Sequence, residues 1–304
     1  MSRKQPDHPA LERPLPGWND PEGHQVPPDL PCVFDAHVHF FPDELFDAVW
    51  AWFDRYGWPI RYRIYSDDII DFLLSRGIQH IVGLQYAHKH GISRSLNRYM
   101  ADLCARTSAL TGLATVFPGE KGAKRILREG FRLGLKGVKL HAHVQCFDME
   151  SPAMIEIYEV CAEHDMPLLM HVGREPKSSA YPCDPYFLCE ASKLRQVLKD
   201  FPTLRICVPH LGADEFDAYR NMLERFDNLW LDTTMMLGGY FPMRNIPSPS
   251  ELRWDRILYG SDFPNIPYAW DRELKAIAGM GLEPIVRDGL LYRNAMEFFS
   301  IGYI

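Results

Sequence analysis

The stretch Cys32-Val33-Phe34-Asp35-Ala36-His37-Val38-His39-Phe40-Phe41-Pro42 decides between two folds for this chain. It begins with a short apolar run of the kind that forms a buried parallel strand. An open, doubly wound sheet usually places a glycine-rich phosphate loop directly after its first strand. Here the run is followed by histidines and aromatic residues, and no GxGxxG or GxxxxGKS/T pattern occurs in the chain. The stretch therefore argues against an open nucleotide-binding sheet.

From residue 32 onward, a short apolar run, a polar or aromatic loop and a segment of helical period repeat in that order. Strands that alternate with helices run parallel, because each helix crosses back over the sheet. Eight such units in about 270 residues are typical of a (β/α)8 TIM barrel, so we predict one barrel domain over residues 32–304. The predicted strands are Cys32–Phe34, Ile78–Leu84, Gly112–Phe117, Gly137–Leu140, Pro167–Met170, Leu204–Val208, Leu229–Leu231 and Ile257–Tyr259. The predicted helices include Ser66–Gly77, Leu96–Leu110, Met154–His164, Tyr186–Asp200 and Ala213–Phe226.

Residues 1–31 have a different composition from the rest of the chain, with eight of the 24 prolines. Proline fixes φ and lacks a backbone N–H, so this stretch is unsuited to a helix interior or a central strand. We predict an extended, proline-rich N-terminal arm over residues 1–31. The sequence leaves open whether the arm is disordered, lies on its own domain or contacts a neighbouring subunit.

The whole chain has the composition of an ordinary globular protein, with 304 residues, 46% hydrophobic and 24% charged. Its net charge is 33 − 40 = −7, and it has no dense block of Lys and Arg. This argues against nucleic acid or an anionic membrane as a partner. No apolar run approaches the roughly 20 residues that span a bilayer, and Met1–Asn19 has no apolar signal core. We expect a cytoplasmic protein with reduced cysteines and a small-molecule substrate; the acidic charge is compatible with a homodimer.

Histidines collect where the predicted strands end. In a barrel of this type, catalytic groups lie at the C-terminal ends of the strands. Seven of the twelve histidines occupy such positions, which is not expected of histidines that serve only as surface or core filler. They are His37, His39, His88, His141, His143, His171 and His210, and Asp262 follows strand 8.

The pair His37 and His39 indicates a metal centre when it is taken with the other strand ends. Residues two apart on a strand project to the same side, so the two imidazoles can converge inside the barrel. Imidazole nitrogen and carboxylate oxygen suit zinc, iron or manganese. An HxH pair alone is a weak signal. Together with His171, His210 and Asp262 it forms a specific set.

Three motifs carry a resemblance to a known family: Asp35-Ala36-His37-Val38-His39, Pro209-His210-Leu211-Gly212 and Tyr259-Gly260-Ser261-Asp262-Phe263-Pro264. As a set they resemble the amidohydrolase superfamily, in particular the branch that includes aminocarboxymuconate-semialdehyde decarboxylase and aromatic-acid decarboxylases. Asn294-Ala295 near the end also fits. The resemblance spans residue 33 to about residue 300 and implies a distorted barrel with a divalent metal.

The resemblance implies that His37, His39, His171 and Asp262 bind the metal, with zinc expected first and manganese or iron as alternatives. Asp262 and His210 are then the expected catalytic residues. Asp262 can take a proton from a metal-activated water and pass it to a leaving group, while His210 polarises a carbonyl. The same centre could instead orient a carboxylate while Asp262 or His210 protonates a ring carbon before CO2 leaves.

Strand 4 contributes Lys139 and His141, for which several roles stay open. Lys139 could pair with a buried carboxylate, contact a substrate anion, or bridge two metals as the carboxylated strand-4 lysine of binuclear amidohydrolases does. His141 could line the pocket or bind a second metal, and His143 is expected in a loop.

Other rim residues are candidates for substrate binding. Arg174 could hold a substrate carboxylate or form a surface ion pair with Glu175. Tyr86 and His88 could line the pocket, and Asp232 could hydrogen-bond backbone groups or a histidine just outside the metal's ligands. Aromatic residues and methionines in the loops after strands 1, 5 and 7 favour an aromatic or bulky substrate; they are Phe40, Phe41, Tyr181, Tyr186, Phe187, Met235, Met236, Tyr240 and Phe241.

These observations predict first a metal-dependent hydrolase of an amide, ester, thioester or lactone-type acyl bond in a small, aromatic or apolar carboxylated substrate. The alternative is a metal-dependent, non-oxidative decarboxylase of an aromatic or muconate-like acid on the same scaffold. A more remote alternative is a non-catalytic binding barrel. The metal ligands alone do not distinguish a hydrolase from a decarboxylase.

Overall fold

The computed structural model describes residues 17–174, 179–240 and 252–302. These residues form eight strands, in the expected order and all parallel, although the first and third share only Phe34 and Gly112 with their predicted ranges. They pair as two sheets, β1-β2-β3 and β4-β5-β6-β7-β8. Isolated parallel bridges, Ala114 to Val138 and Val38 to Phe263, join the two sheets at both edges. The predicted (β/α)8 architecture is confirmed, with distortion at the two seams. The strands are β1 (Phe34–His39), β2 (His80–Leu84), β3 (Leu110–Gly112), β4 (Val138–His141), β5 (Leu168–His171), β6 (Ile206–Val208), β7 (Leu229–Asp232) and β8 (Ile257–Leu258).

Helices follow the strands and cover the outside of the sheets. Within the described ranges, none of them is long and apolar enough to cross a membrane. The α-helices are α1 (Asp43–Tyr56), α2 (Ser66–Ser75), α3 (Ser93–Arg106), α4 (Ala123–Arg132), α5 (Ala142–Gln145), α6 (Pro152–Glu163), α7 (Pro185–Leu188), α8 (Ala191–Asp200), α9 (Phe216–Leu223), α10 (Arg272–Gly279), α11 (Pro284–Asp288) and α12 (Asn294–Phe299). Short 3-10 helices lie at His210–Gly212 and Trp254–Arg256, and Gly289–Arg293 is π-helical.

Several predicted boundaries were wrong. The helix expected to reach Leu110 ends at Arg106, because Thr107 adopts an extended backbone and Leu110 already pairs with β2. The helix expected over 186–200 is two helices, since Glu190 is also extended. Helical period continues through such breaks, so a sequence pattern does not locate them.

A register irregularity in β1 places both an apolar floor and a polar rim inside the barrel. Phe34 and Ala36 belong to an inner apolar cluster with residues of most other strands. His37 contacts Asp232, which ends β7, and His39 contacts Asp262, which follows β8. Alternation along a regular strand would put these two pairs on opposite faces. The pairing of β1 with β2 shifts register between Asp35 and Val38. A bulge of this kind re-aims the following side chains, so all four lie inside.

The described part of the arm, residues 17–31, contains no helix or strand and packs on its own barrel. The Gly23 N–H donates to Asp271 Oδ2 at 2.8 Å, and Trp270 Nε1 donates to the Gly23 carbonyl at 3.0 Å. Asp20 forms a 2.7 Å ion pair with Arg272, with both side chains mostly buried. These contacts fasten the arm to the start of α10. Residues 1–16 of the predicted arm lie outside the described residues.

Gly23→Ala is expected to lower the free energy of unfolding by about 1–3 kcal/mol, in the range of overpacking substitutions. A Cβ at this position would lie 2.7 Å from Asp271 Oδ2, the oxygen that accepts the Gly23 N–H. Gly279→Ala is the matched control, because its Cβ meets nothing within 4 Å and alanine favours a helix by about 0.5–1 kcal/mol. Urea denaturation measures both. Equal stability of the two variants would contradict the packing of the arm.

Candidate metal centre

His37, His39 and Asp262 form the first ligand group, in which one ligating atom from each residue lies within 4.8 Å of the others. All three are buried. Asp262 Oδ1 is 2.9 Å from His39 Nε2 and 3.4 Å from His37 Nε2. β1 supplies both histidines, and the segment after β8 supplies the carboxylate. Three strong donors from two distant parts of the chain thus converge on one point.

Asp232 at the end of β7 orients His37. Its Oδ2 accepts from His37 Nδ1 at 2.8 Å, and both side chains are fully buried. Burial, and then the charge of Lys139, lowers the pKa of His37 to about 4. A neutral imidazole that donates Nδ1–H leaves Nε2 as the acceptor, which is the nitrogen that faces Asp262. The sequence had suggested a histidine outside the metal's ligands as the partner of Asp232, whereas the structure pairs Asp232 with His37, itself a predicted ligand.

Asp262 is held as a carboxylate in a strained loop. Burial opposes its ionisation, but the hydrogen bond from His39 and the nearby imidazoles hold its pKa below the ordinary value. Its backbone has φ +69°, an unfavourable region for a residue with a Cβ. Gly260 makes the approach to β1 possible, because a Cβ there would lie 2.6 Å from the Cβ of His37.

Asp35 braces the same loop. Its Oδ1 accepts from the Ser261 N–H at 3.0 Å and from the His37 N–H at 3.2 Å. Burial raises the pKa of Asp35 to about 7. The sequence identified Asp35 only as a motif residue, whereas its two hydrogen bonds tie β1 to the segment that carries Asp262.

The first ligand group fits a divalent transition metal. Two ligands bonded to one metal at about 2.1 Å stand about 3.0 Å apart at a right angle and about 3.4 Å apart at the tetrahedral angle. The observed Asp262–His39 and Asp262–His37 separations are 2.9 and 3.4 Å. Two imidazoles and one carboxylate form a donor set suited to zinc, manganese or iron.

His141, His143 and His171 form the second ligand group, with ligating atoms again within 4.8 Å of one another. His171, predicted as the fourth ligand beside His37, stands here: its ring is 4.0 Å from that of His141 and nearly parallel to it. Burial, and then neighbouring His210, lowers the pKa of His171. His143 is fully buried in α5, and not in a loop as expected.

Lys139 and His210 lie between the two ligand groups. Lys139 is fully buried, and its Nζ is 3.3 Å from His37 Nε2. The His210 ring is 4.7 Å from that of His171 and 6.1 Å from that of His37. Its Nδ1 is 2.9 Å from the Thr234 carbonyl oxygen, so Nδ1–H donates and Nε2 is left to exchange a proton. The structure therefore places the expected catalytic histidine at the same end of the barrel as both groups.

The three predicted substrate-binding residues have different surroundings. Tyr86 packs edge-on against the rings of His39 and His141, at 5.9 and 4.9 Å. His88 is exposed beyond β2. Arg174 donates to the Tyr186 carbonyl at 3.0 Å and lies 3.5 Å from Glu215; its alternative partner, residue 175, lies outside the described residues.

Sequence reasoning missed Gln145 and the aromatic contact over His143. Gln145 Oε1 accepts from the His141 N–H at 2.8 Å, and its Nε2 donates to two carbonyls in the loops after β2 and β3. Tyr181 packs 5.2 Å from the ring of His143 and 5.7 Å from that of Trp52. The alternation of Lys139, His141 and His143 was the signal that could have drawn attention to this part of the rim.

Three solved structures illustrate the fold to which this chain is similar. An uncharacterised TIM-barrel protein from Bordetella bronchiseptica has 18% identity and a TM-score of 0.68, covering 89% of this chain and 99% of that one. 5-Carboxyvanillate decarboxylase from Novosphingobium aromaticivorans, with manganese and a nitrobenzoic acid, has 17% identity and a TM-score of 0.68, covering 92% and 100%. Dihydroxybenzoic acid decarboxylase from Polaromonas, with manganese and 2-nitroresorcinol, has 16% identity and a TM-score of 0.67, covering 90% and 98%.

At these identities the structures show the fold, which is the predicted TIM barrel. No curated protein matches the chain significantly. The family model described as amidohydrolase matches residues 34–301, which is most of the chain and includes both ligand groups. The resemblance carried by the strand-end motifs is thereby confirmed, and this protein belongs to the amidohydrolase family.

Proposed function

We propose that this protein is a metal-dependent, non-oxidative decarboxylase of a small aromatic carboxylic acid. The observation that carries the proposal is the first ligand group, His37, His39 and Asp262, with the buried cation Lys139 beside it. Two of the structurally similar proteins are named as decarboxylases of aromatic acids and were solved with manganese. At 17% and 16% identity these two proteins share the fold with this chain, and a fold by itself does not fix the chemistry of a site.

The first ligand group would hold one divalent metal, with His37 Nε2, His39 Nε2 and Asp262 Oδ1 as donors. Manganese joins zinc as a leading candidate, because both manganese-containing neighbours are decarboxylases of aromatic acids. When bound, the metal supplies positive charge that fixes and orients a substrate carboxylate.

Lys139 is suited to bind a negatively charged group of the substrate. Its Nζ contacts His37 Nε2, the nitrogen expected to bind the metal, so metal binding requires Lys139 to give up this contact. A buried ammonium is stabilised by anionic or hydrogen-bonding groups. A substrate carboxylate or phenolate would add such a group beside Lys139.

An aromatic surface next to the first ligand group favours a ring-containing substrate. Phe41 is stacked on His39, with ring centroids 6.0 Å apart and planes 9° apart. Tyr86 packs edge-on against Phe41 at 5.1 Å. Aromatic side chains prefer offset-stacked or edge-to-face partners, so aromatic side chains here would favour a substrate that carries a ring.

Proton delivery falls to Asp262 or His210. Decarboxylation breaks the bond between ring carbon and carboxylate, and the ring carbon must gain the proton that replaces CO2. His210 can exchange a proton at Nε2 while Thr234 holds Nδ1. Asp262 is an ionised carboxylate beside His39 and can pass on a proton that it has first received.

A hydrolase on the same site is the second candidate. It is the function that the sequence favoured first, and the ionised Asp262 supports it, because a carboxylate can act as a general base toward water. The buried cation beside the ligands and the aromatic wall fit the decarboxylase better.

Protein reconstituted with Mn2+ or Zn2+ is expected to release CO2 from hydroxylated or methoxylated benzoic acids. His39→Ala and Asp262→Asn should each lower kcat/KM by about 10³-fold or more. The metal ligands act as one unit, so the loss of one ligand removes most of the catalytic effect of the whole set. His90→Ala, at an exposed position, is the control. Carbon dioxide and product are measured in parallel with hydrolysis of esters, thioesters, lactones and amides. Hydrolysis without CO2 release would favour the second candidate, and full turnover without metal would rule out both.

Asp232→Asn is expected to weaken metal binding by about 10–100-fold while the fold persists. The amide oxygen can still accept from the His210 and Thr234 N–H groups, which contact Asp232 Oδ1. The amide nitrogen would instead face His37 Nδ1 as a donor. It would favour the tautomer that carries its proton on Nε2, the nitrogen proposed to bind the metal. Metal titration measures the affinity, with exposed Asp67→Asn as the control. An unchanged affinity would show that Asp232 does not orient the metal ligand.

A further inference from the structure

We propose that Cys146 and Cys183 form a reversible disulfide, made by exchange with a low-molecular-weight disulfide, that ties the loop after β5 to the end of α5. Both residues are free thiols in the structure, and the decarboxylation proposed above uses neither of them. The expected effect on turnover rests on the proposed function, whereas formation of the disulfide does not.

The two thiols share one hydrogen-bond acceptor. Cys183 Sγ lies 3.6 Å from the His143 carbonyl oxygen, and Cys146 Sγ lies 3.9 Å from the same oxygen. The two thiols are also hydrogen-bonded to each other. Both residues lie outside the helices and strands, so local rotation can shorten this contact to the roughly 2.05 Å of an S–S bond.

Hydrogen bonds anchor the two segments separately. Cys146 directly follows α5 in a left-handed conformation, with φ +52°. Gln145, one residue earlier, donates to two carbonyls in the loops after β2 and β3. Cys183 precedes α7, where Asp184 Oδ1 accepts from the Tyr186 N–H at 3.0 Å. The pair is therefore brought together by two fixed turns that are far apart in the chain.

The surroundings give the two thiols different roles. Cys146 is exposed, whereas Cys183 is half-buried. Burial, and then the hydrogen bond with Cys146, raises the pKa of Cys183 to about 12, so Cys183 stays protonated at neutral pH. Access and thiolate character decide which cysteine reacts. Cys146 is therefore the thiol that meets an oxidant first, and Cys183 is the thiol that resolves the product.

The exchange proceeds in two balanced steps. The Cys146 thiolate attacks one sulfur of a small disulfide such as oxidised glutathione, forms a mixed disulfide and releases one glutathione thiolate. Cys183 then loses its proton and attacks Cys146 Sγ, which displaces the second glutathione. The protons of both cysteines end on the two released glutathione thiols. Two protein thiols are thus oxidised to one disulfide, and one glutathione disulfide is reduced.

This disulfide would restrain a segment that reaches across the barrel mouth. Tyr181, two residues before Cys183, packs 5.2 Å from the ring of His143 and 5.7 Å from that of Trp52 on α1. The ligand Asp262 is only 7% exposed, so a substrate reaches it after covering segments move. A cross-link that holds one of these segments is expected to slow substrate entry.

Peptide mapping of the full-length protein, reconstituted with Zn2+ and incubated with oxidised glutathione, tests the pair. Free thiols are alkylated, and the chain is cut on the N-terminal side of aspartates. Cuts before Asp148 and Asp184 separate Cys146 and Cys183 from the next cysteine in the chain. Mass spectrometry should find these two cysteines joined, with two of the seven thiols lost per chain. Dithiothreitol should restore both thiols.

Serine variants show which cysteines take part. Cys146→Ser and Cys183→Ser should each abolish the cross-link, and glutathione should stay on Cys146 in the second variant. Cys104→Ser is the matched control, because Cys104 is half-buried in α3; this variant should keep the cross-link. A disulfide from Cys183 to Cys189, a disulfide between two chains, or glutathione retained on Cys146 of the wild type would overturn the proposal.

Hydrogen exchange and turnover measure the consequence. Cross-linking should slow amide exchange over residues 179–188 in wild type and in Cys104→Ser, and leave it unchanged in Cys183→Ser. The kcat/KM for an aromatic acid should fall on cross-linking and recover with dithiothreitol. Unchanged exchange and turnover in fully cross-linked protein would overturn the restraint on the mouth. Peptide mapping uses no turnover, so a lack of decarboxylation would refute the proposed function and leave a mapped disulfide standing.

Discussion

The hydrogen bond between His37 and Asp232 is the interaction on which the rim of this barrel depends. Both side chains are fully buried, so the carboxylate must be compensated within the protein. One oxygen holds His37 on β1, while the other accepts from the N–H groups of His210 and Thr234. A single buried charge thereby fixes the ends of β1, β6 and β7 relative to one another.

Irregular backbone allows polar chemistry to share the barrel with an apolar floor. The register shift in β1 turns His37 and His39 to the interior that Phe34 and Ala36 already occupy. Asp262 adopts a positive φ to reach them. Such local conformations are unfavourable by themselves and persist because the surrounding packing and hydrogen bonds determine them. Because of this asymmetry, the titratable side chains collect at one end of the barrel.

The rim divides into two groups of potential ligands with a cation between them. The first ligand group consists of two imidazoles and a carboxylate, and the second consists of three imidazoles. Lys139 contacts His37 of the first group. Two positive charges this close, Lys139 and a metal in the first ligand group, repel each other. An anion bound between them would lower that repulsion. A metal, a substrate anion and the lysine would form such an order, as the proposed decarboxylation requires.

Strand–helix alternation and the strand-end motifs determined the barrel, its order of strands, the family and the end at which the histidines lie. Such features repeat or occur within a few residues of one another, and local patterns record them. The sequence could not show that His171 stands with His141 and His143, that Gln145 secures their turn, or that Lys139 contacts His37. These depend on strand register, on the bulge in β1 and on where helices break. Only the tertiary structure decided them, because they arise from contacts between residues far apart in the chain.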